Sequence, residues 1–137
     1  MSVGLLIITH DHIGDTLLKT AVRMLEGTPL TAKSLPVMID AEPEALLAKA
    51  KQLVAELDSG AGVLVFTDMY GSTPSNIAYG LMKQGSVHVV SGLNLPMLIR
   101  TLNYPALSLE ALTMKAISGG KEGIFCCSTP THVFPPC

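Results

Sequence analysis

Charged residues are scarce in this sequence, and their signs nearly cancel. They make up 15% of the 137 residues, and the formal net charge is −2. A strongly basic surface of the kind that binds nucleic acid is therefore not expected. Apolar residues make up 48%, which is enough for a dense core in one domain and favours burial of some surface against a second copy of the chain.

Cysteine and long apolar runs are also limited. The three cysteines all lie within the last twelve residues, at positions 126, 127 and 137. They form neither a disulfide framework nor a zinc-binding CxxC pattern. The first apolar run, residues 3–8, lacks the basic start and the length of a signal peptide. No stretch approaches the roughly 20 apolar residues of a membrane span, so we expect a cytoplasmic protein without membrane insertion.

Several signatures of catalysis are missing as well. The sequence contains no GxGxxG and no Walker lysine, which leaves a nucleotide site weakly supported. It also lacks the GxSxG elbow of many serine hydrolases. His10, His12 and Asp68 count as potential metal ligands, but no cysteine and no histidine on a helix face joins them. We therefore predict no metal site and no cofactor.

The sequence does contain an alternation of strand and helix patterns. Continuous apolar runs at 4–9 and 62–67 are typical of strands covered on both faces. Other strands are predicted at 33–39 and 87–90, and a last one at 124–127. Residues 1–127 are then one domain, and residues 128–137 a loose tail.

The helical periodicity completes the predicted fold. It predicts helices over 15–26, 43–57, 75–83, 95–102 and 107–118, the last of them ending before Gly119 and Gly120. Helices alternating with strands indicate the α/β class. The length fits a flavodoxin-like doubly wound sheet whose first four strands are parallel in the order 2-1-3-4.

Two of the predicted strands end in polar side chains. His10 follows strand 1, Asp68 follows strand 3, and in this strand order the two are neighbours at the sheet edge where ligands bind. An imidazole beside an acid can serve as a base, a metal ligand or a phosphate carrier. Plainer interpretations are a turn residue for His10, a capping residue for Asp68 and a merely exposed polar residue for His12.

Two loops are expected at the same edge. The first contains Met69, Tyr70, Gly71, Ser72 and Thr73, a small and polar stretch that leads into a helix. Its backbone N–H groups and hydroxyls suit an anion, although an ordinary N-cap loop is the alternative. The second loop follows strand 4.

The second loop contributes three candidates. Asn94 is predicted to cap a short helix, and Pro96 lies in its first turn. Met97 fits either the wall of the site or the core.

Three blocks, residues 7–10, 65–76 and 91–98, resemble the mannose-type enzyme IIA domains of the bacterial phosphoenolpyruvate:sugar phosphotransferase system. The resemblance covers about residues 1–125. It implies a phosphoryl carrier in which His10 accepts a phosphoryl group from phospho-HPr and passes it to an enzyme IIB. Asp68 would orient the histidine, and Ser72, with the amides near Gly71 and Thr73, would stabilise the phosphoryl group.

The resemblance also implies surfaces for partners. Partners would dock on a rim that contains Met69, Tyr70, Asn94, Pro96 and Met97. A homodimer would exchange the final strand, residues 124–127, which runs antiparallel to the others. Because no linker and IIB domain follow in the sequence, we expect a stand-alone IIA protein.

One residue departs from the family pattern. Many members have glycine after the active histidine, whereas Asp11 and His12 follow it here. A carboxylate at this position opposes a phosphoryl group unless its side chain turns outward or caps the helix. A binding module without transfer is therefore one alternative. Two others stay open independently of Asp11: a regulatory carrier, and the IIA-like phosphotransfer subunit of dihydroxyacetone kinase.

Overall fold

A four-stranded parallel sheet organises the chain. The structure, a computed structural model, describes residues 1–128. The strands are β1 (Gly4–His10), β2 (Ala32–Val37), β3 (Val63–Thr67) and β4 (Val87–Ser91), in the order β2-β1-β3-β4. The helices within these residues are α1 (Ile13–Met24), α2 (Pro43–Leu57), α3 (Thr73–Gly80), α4 (Leu95–Leu102) and α5 (Leu109–Glu122). The predicted α/β class and strand order are confirmed.

The two central strands are apolar because helices cover the sheet on both faces. Residues 5–8 of β1 and 63–66 of β3 are fully buried. Side chains such as Phe66 alternate toward a cluster beneath α1, α4 and α5, and side chains such as Val65 toward a second cluster beneath α2 and α3. Each fully buried side chain of this size contributes about 1.5–3 kcal/mol through the hydrophobic effect. The core thus holds β1 and β3 rigidly side by side.

Register fixes which residues meet at the carboxyl edge of the sheet. Ile8 lies opposite Thr67 in the parallel pairing of β1 with β3. His10 therefore ends β1 just as the chain leaves β3 at Asp68. A Cβ atom on Gly14 would lie only 2.6 Å from a methyl carbon of Ile7, so this residue packs directly on β1. Because Gly14 has no side chain, helix α1 can start close to this edge.

The helix boundaries differ from the sequence-based expectations in places. Helix α3 begins at Thr73 rather than residue 75, with Pro74 in its first turn. Helix α5 continues through Gly119 and Gly120 to Glu122, so the predicted stop was wrong. These glycines bring α5 close to α4, since a Cβ atom on Gly119 would lie 2.5 Å from the Cβ of Arg100. Tertiary packing outweighs their low helix propensity.

The end of the described chain holds no strand. Residues 124–126 have no regular secondary structure, and residues 127 and 128 form a turn, so the strand predicted at 124–127 is absent from the single chain. Ile124 and Phe125 are exposed. Exchange of this segment in a dimer stays a prediction, and residues 129–137 of the expected tail lie outside the described residues. Among residues 1–128, every helix is too short or too polar to cross a bilayer.

Candidate functional site

An imidazole–carboxylate pair joins the ends of β1 and β3. Nδ1 of His10 lies 2.8 Å from Oδ2 of Asp68, and the backbone N–H of His10 donates to the same oxygen at 3.2 Å. The other carboxylate oxygen accepts from the N–H of Met69 at 3.1 Å. Asp68 is thus held from both sides of the cleft between the two strands, and it fixes the histidine through both ring and main chain.

His10 and Asp68 differ in solvent exposure, and this difference determines which of the two can react with a partner. The side chain of His10 is 47% exposed, whereas that of Asp68 is 15% exposed. An ionised carboxylate accepts hydrogen bonds only, so Nδ1 carries the proton that is donated to Asp68. The lone pair then lies on Nε2, the ring nitrogen away from Asp68. The arrangement is that of a nucleophile whose tautomer is set by an acid.

The loop after Asp68 carries five of the predicted site residues and leads into α3. Met69 and Tyr70 are exposed. Gly71 has a φ of +81°, a conformation that favours glycine, and its N–H donates to Oγ of Ser75 at 3.2 Å. The hydroxyl of Ser72 donates to the carbonyl of Met69 at 2.6 Å, which closes the loop on itself. Thr73 begins α3.

Hydrogen bonds and core packing hold the residues that follow β4 in place. Asn94 caps α4, as predicted, by accepting from the N–H of Met97 at 2.9 Å, and it also donates to the carbonyl of Gly120 at 3.2 Å. Met97 is only 4% exposed and packs in the core, so its placement on an exposed rim was wrong and the core alternative is correct. Pro96 stays exposed next to Gly123, the residue that follows α5.

Asp11 is turned toward the helix that follows it. Its φ is +47°, and its N–H donates to the carbonyl of Val37 at 2.9 Å. Its Oδ1 accepts from the N–H of His12 at 2.8 Å and lies 3.9 Å from Nε2 of the same residue. The carboxylate is 68% exposed and bonds the N–H of the residue before α1, so it meets the first of the two conditions, that its side chain turns outward.

A second imidazole–carboxylate pair lies beside the first, and sequence reasoning missed its acid. Nδ1 of His12 lies 2.8 Å from Oδ2 of Asp15, and Ser34 of β2 donates its hydroxyl to Oδ1 of Asp15. This hydrogen bond from Ser34 is the largest cause of a lowered pKa of the Asp15 carboxyl, and His12 and Lys19 lower it further. The i, i+3 spacing of His12 and Asp15 in a first helical turn is the signal that points to the pair.

Exposed apolar side chains also border this edge of the sheet, and two of them fall within the strand predicted at 33–39, which ends instead at Val37. Ile13 starts α1, and Met38 and Ile39 follow β2. All three are exposed, as Met69 and Tyr70 are. Among residues 1–128, no group of three or more histidine, cysteine or acidic side chains is arranged to hold a metal ion.

Residues 4–117 match the family model of the PTS system fructose IIA component, named EIIA-man. The chain belongs to this family. It is also 32% identical, over 127 residues, to the mannose-specific EIIAB component of the PTS from Escherichia coli. That alignment covers 90% of this chain, which spans 39% of the length of the relative.

Solved structures of IIA proteins share the fold. The mannose/sorbose-specific IIA subunit from Enterococcus faecalis is 24% identical, with a TM-score of 0.83 over 96% of this chain and 98% of that one. The PTS IIA protein associated with the fucose utilization operon from Streptococcus pneumoniae is 26% identical, with a TM-score of 0.76 over 93% and 97%. The resemblance inferred from the sequence motifs is therefore confirmed at the level of the family.

Removing the hydroxyl of Ser34 tests the charge network around Asp15 in this IIA domain. In Ser34→Ala, the pKa of Asp15 should rise toward its ordinary value, because the first cause of its lowering is gone. A lowered carboxyl pKa contributes stability above the unfolded-state value and loses it as pH falls through the folded-state value. The variant should therefore lose less stability than the parent on acidification below about pH 4.

Carboxyl-carbon NMR titration of Asp15, with chemical unfolding at several pH values, measures both effects. Thr16→Ala is a matched control, since Thr16 is an exposed residue beside Asp15 whose side chain makes no hydrogen bond within residues 1–128. An unchanged Asp15 titration in Ser34→Ala would contradict the assignment.

Proposed function

We propose that this chain is a phosphoryl carrier of the phosphotransferase system. His10 accepts a phosphoryl group from phospho-HPr and passes it to a histidine of an enzyme IIB, in sugar uptake or in regulation by the system. The observation that carries the proposal is the 2.8 Å contact of Nδ1 of His10 with Asp68 on a half-exposed ring. Membership of the EIIA-man family supports the same chemistry.

The pair supplies what transfer between imidazoles requires. Phosphoryl transfer depends mostly on positioning and on stabilisation of charge. The bond from phosphorus to the donor nitrogen breaks as the bond to Nε2 of His10 forms, and Nδ1 keeps its proton. The positive charge that the ring gains then faces the carboxylate of Asp68. A later transfer to the acceptor histidine reverses these changes on His10.

The loop of residues 69–73 supplies donors for the phosphoryl oxygens in this proposal. The N–H groups at the start of α3 lack partners within the helix, and the helix dipole favours an anion there. In the free protein, the hydroxyl of Ser72 donates a hydrogen bond to the carbonyl of Met69. To donate to a phosphoryl oxygen instead, it rotates away from that carbonyl. Gly71 contributes its left-handed turn, since its N–H is already bound by Ser75.

Partner proteins dock on the apolar surface around His10. Met69 and Tyr70 are exposed on the loop after Asp68, and Pro96 is exposed in the first turn of α4. Asn94 supports this loop by capping α4 rather than by offering its amide to a partner. Exposed apolar side chains that surround a reactive group exclude water when a partner covers them.

We also propose that two copies exchange residues 124–127 as an additional antiparallel strand. Strand β4 lies at the edge of the described sheet, and an open edge offers unpaired backbone groups to another chain. The exposed Ile124 and Phe125 are the apolar side chains that such pairing would bury. Sedimentation equilibrium decides the matter, because a monomer at micromolar concentration would rule the exchange out.

Loss of the His10 imidazole should remove fast phosphorylation. With phosphoenolpyruvate, enzyme I and HPr, the protein should gain the mass of one phosphoryl group, and peptide mapping at alkaline pH should place it on residue 10. In His10→Ala, the rate should fall at least about a hundredfold, because the nucleophile is gone. Rapid quench followed by intact-mass measurement gives the rates.

The matched control is His88→Ala, which removes a histidine of β4 whose Nδ1 contacts Thr113 instead. Its phosphorylation rate should equal that of the parent. A parent that takes no phosphoryl group, or a His10→Ala variant that reacts as fast as the parent, would refute the carrier role of His10.

Replacing the orienting acid should slow transfer without abolishing it. Asp68→Asn keeps the shape of the side chain but loses the charge that faces His10. A hydrogen bond to a charged group is worth about 1.5–3 kcal/mol, so transfer should slow by about tenfold to a hundredfold. The measurement is single-turnover transfer from phospho-HPr, with circular dichroism to verify the fold. A rate equal to that of the parent would remove the proposed role of Asp68.

A further inference from the structure

The pair formed by His12 and Asp15 repeats the geometry of the pair formed by His10 and Asp68. In each, Nδ1 of the imidazole lies 2.8 Å from Oδ2 of the carboxylate. In each, the other carboxylate oxygen is held from outside the pair, by Met69 at Asp68 and by Ser34 at Asp15. The family assignment and the proposed function make no use of this second pair.

The charge state of Asp15 fixes the tautomer of His12. The hydrogen bond from Ser34 is the largest cause of a lowered Asp15 pKa, so this carboxyl group is ionised at neutral pH. An ionised carboxylate accepts, and Nδ1 of His12 therefore donates its proton to Asp15. The lone pair of His12 lies on Nε2, as the lone pair of His10 does.

Access to a partner is at least as open as at His10. The side chain of His12 is 60% exposed, compared with 47% for His10. It precedes the first residue of α1 and lies two residues along the chain from His10. Both exposed rings therefore lie at the junction of β1 and α1, which a phosphoryl donor approaches when it reaches His10.

We propose that His12 is a second phosphoryl-accepting imidazole, oriented by Asp15 and Ser34. This proposal rests on the proposed function, which supplies the phosphoryl donor, a phosphohistidine on a partner protein. The bond from phosphorus to the donor nitrogen breaks, and a bond to Nε2 of His12 forms. Nδ1 keeps its proton, and the positive charge that the ring gains is offset by the ionised Asp15.

Asp11 makes this second acceptor the slower one. Its Oδ1 lies 3.9 Å from Nε2 of His12 and repels an incoming phosphoryl group. The repulsion is moderate, because the Asp11 side chain is 68% exposed and its charge is screened by solvent. The structure thus ranks the two imidazoles, with His10 as the fast acceptor and His12 as the slow one.

The experiment measures phosphorylation in a His10→Ala background. With phospho-HPr in excess, His10→Ala should take up one phosphoryl group slowly, and peptide mapping should place it on residue 12. Adding His12→Ala should abolish the uptake, and adding Asp15→Asn should slow it about tenfold or more. Adding Asp11→Asn keeps an acceptor for the His12 N–H but removes the charge, and should speed uptake by about twofold to fivefold.

A matched control and a measurement on the parent protein make the outcomes distinct. His10→Ala with His88→Ala should react as His10→Ala alone does, and circular dichroism shows whether each variant is folded. Long incubation of the parent with phospho-HPr, followed by mapping, tests residue 12 without any substitution. If the parent carries phosphoryl groups on residue 10 alone and His10→Ala stays unlabelled, this proposal is overturned and the carrier function stands. If the parent takes up none, both fail.

Discussion

The contact between His10 and one oxygen of Asp68 is the interaction on which the site depends. A single carboxylate oxygen receives both the ring Nδ1 and the backbone N–H of the histidine. That double contact requires β1 and β3 to be adjacent and parallel, and to end at the same edge. The strand order 2-1-3-4 provides this, because the chain passes from β1 to the outer strand β2 before it returns to form β3. The topology thus brings together two residues that lie 58 positions apart in the sequence.

The core and the site have different energetic roles. The side chains of residues 5–8 in β1 and 63–66 in β3 are fully buried, and each contributes on the order of 1.5–3 kcal/mol. The contact of His10 with Asp68 is a polar contact on a half-exposed ring, where water competes for the same groups. The contact of His10 with Asp68 therefore matters for orientation more than for stability. Its geometry is held by strands that would stay paired without it, which suits the phosphoryl transfer proposed for His10.

Local patterns predicted the fold because the strands and helices of this chain follow them closely. Apolar runs marked β1 and β3, and the polar residues that end them marked His10 and Asp68. Two features depend on long-range packing and could not be predicted in this way. Gly119 and Gly120 stay helical because α4 leaves no room for side chains, and Ser34 meets Asp15 only after β2 has paired with β1.

Asp11 shows how a backbone conformation changes the meaning of a sequence feature. Read along the sequence, a carboxylate next to His10 opposes phosphorylation. In the structure, the left-handed conformation of Asp11, held by the carbonyl of Val37, directs the carboxylate to the N–H of His12. The charge is thereby placed at the start of α1, where the helix dipole favours it. The same turn sets Asp11 beside the His12 ring, with Oδ1 of Asp11 3.9 Å from Nε2 of His12.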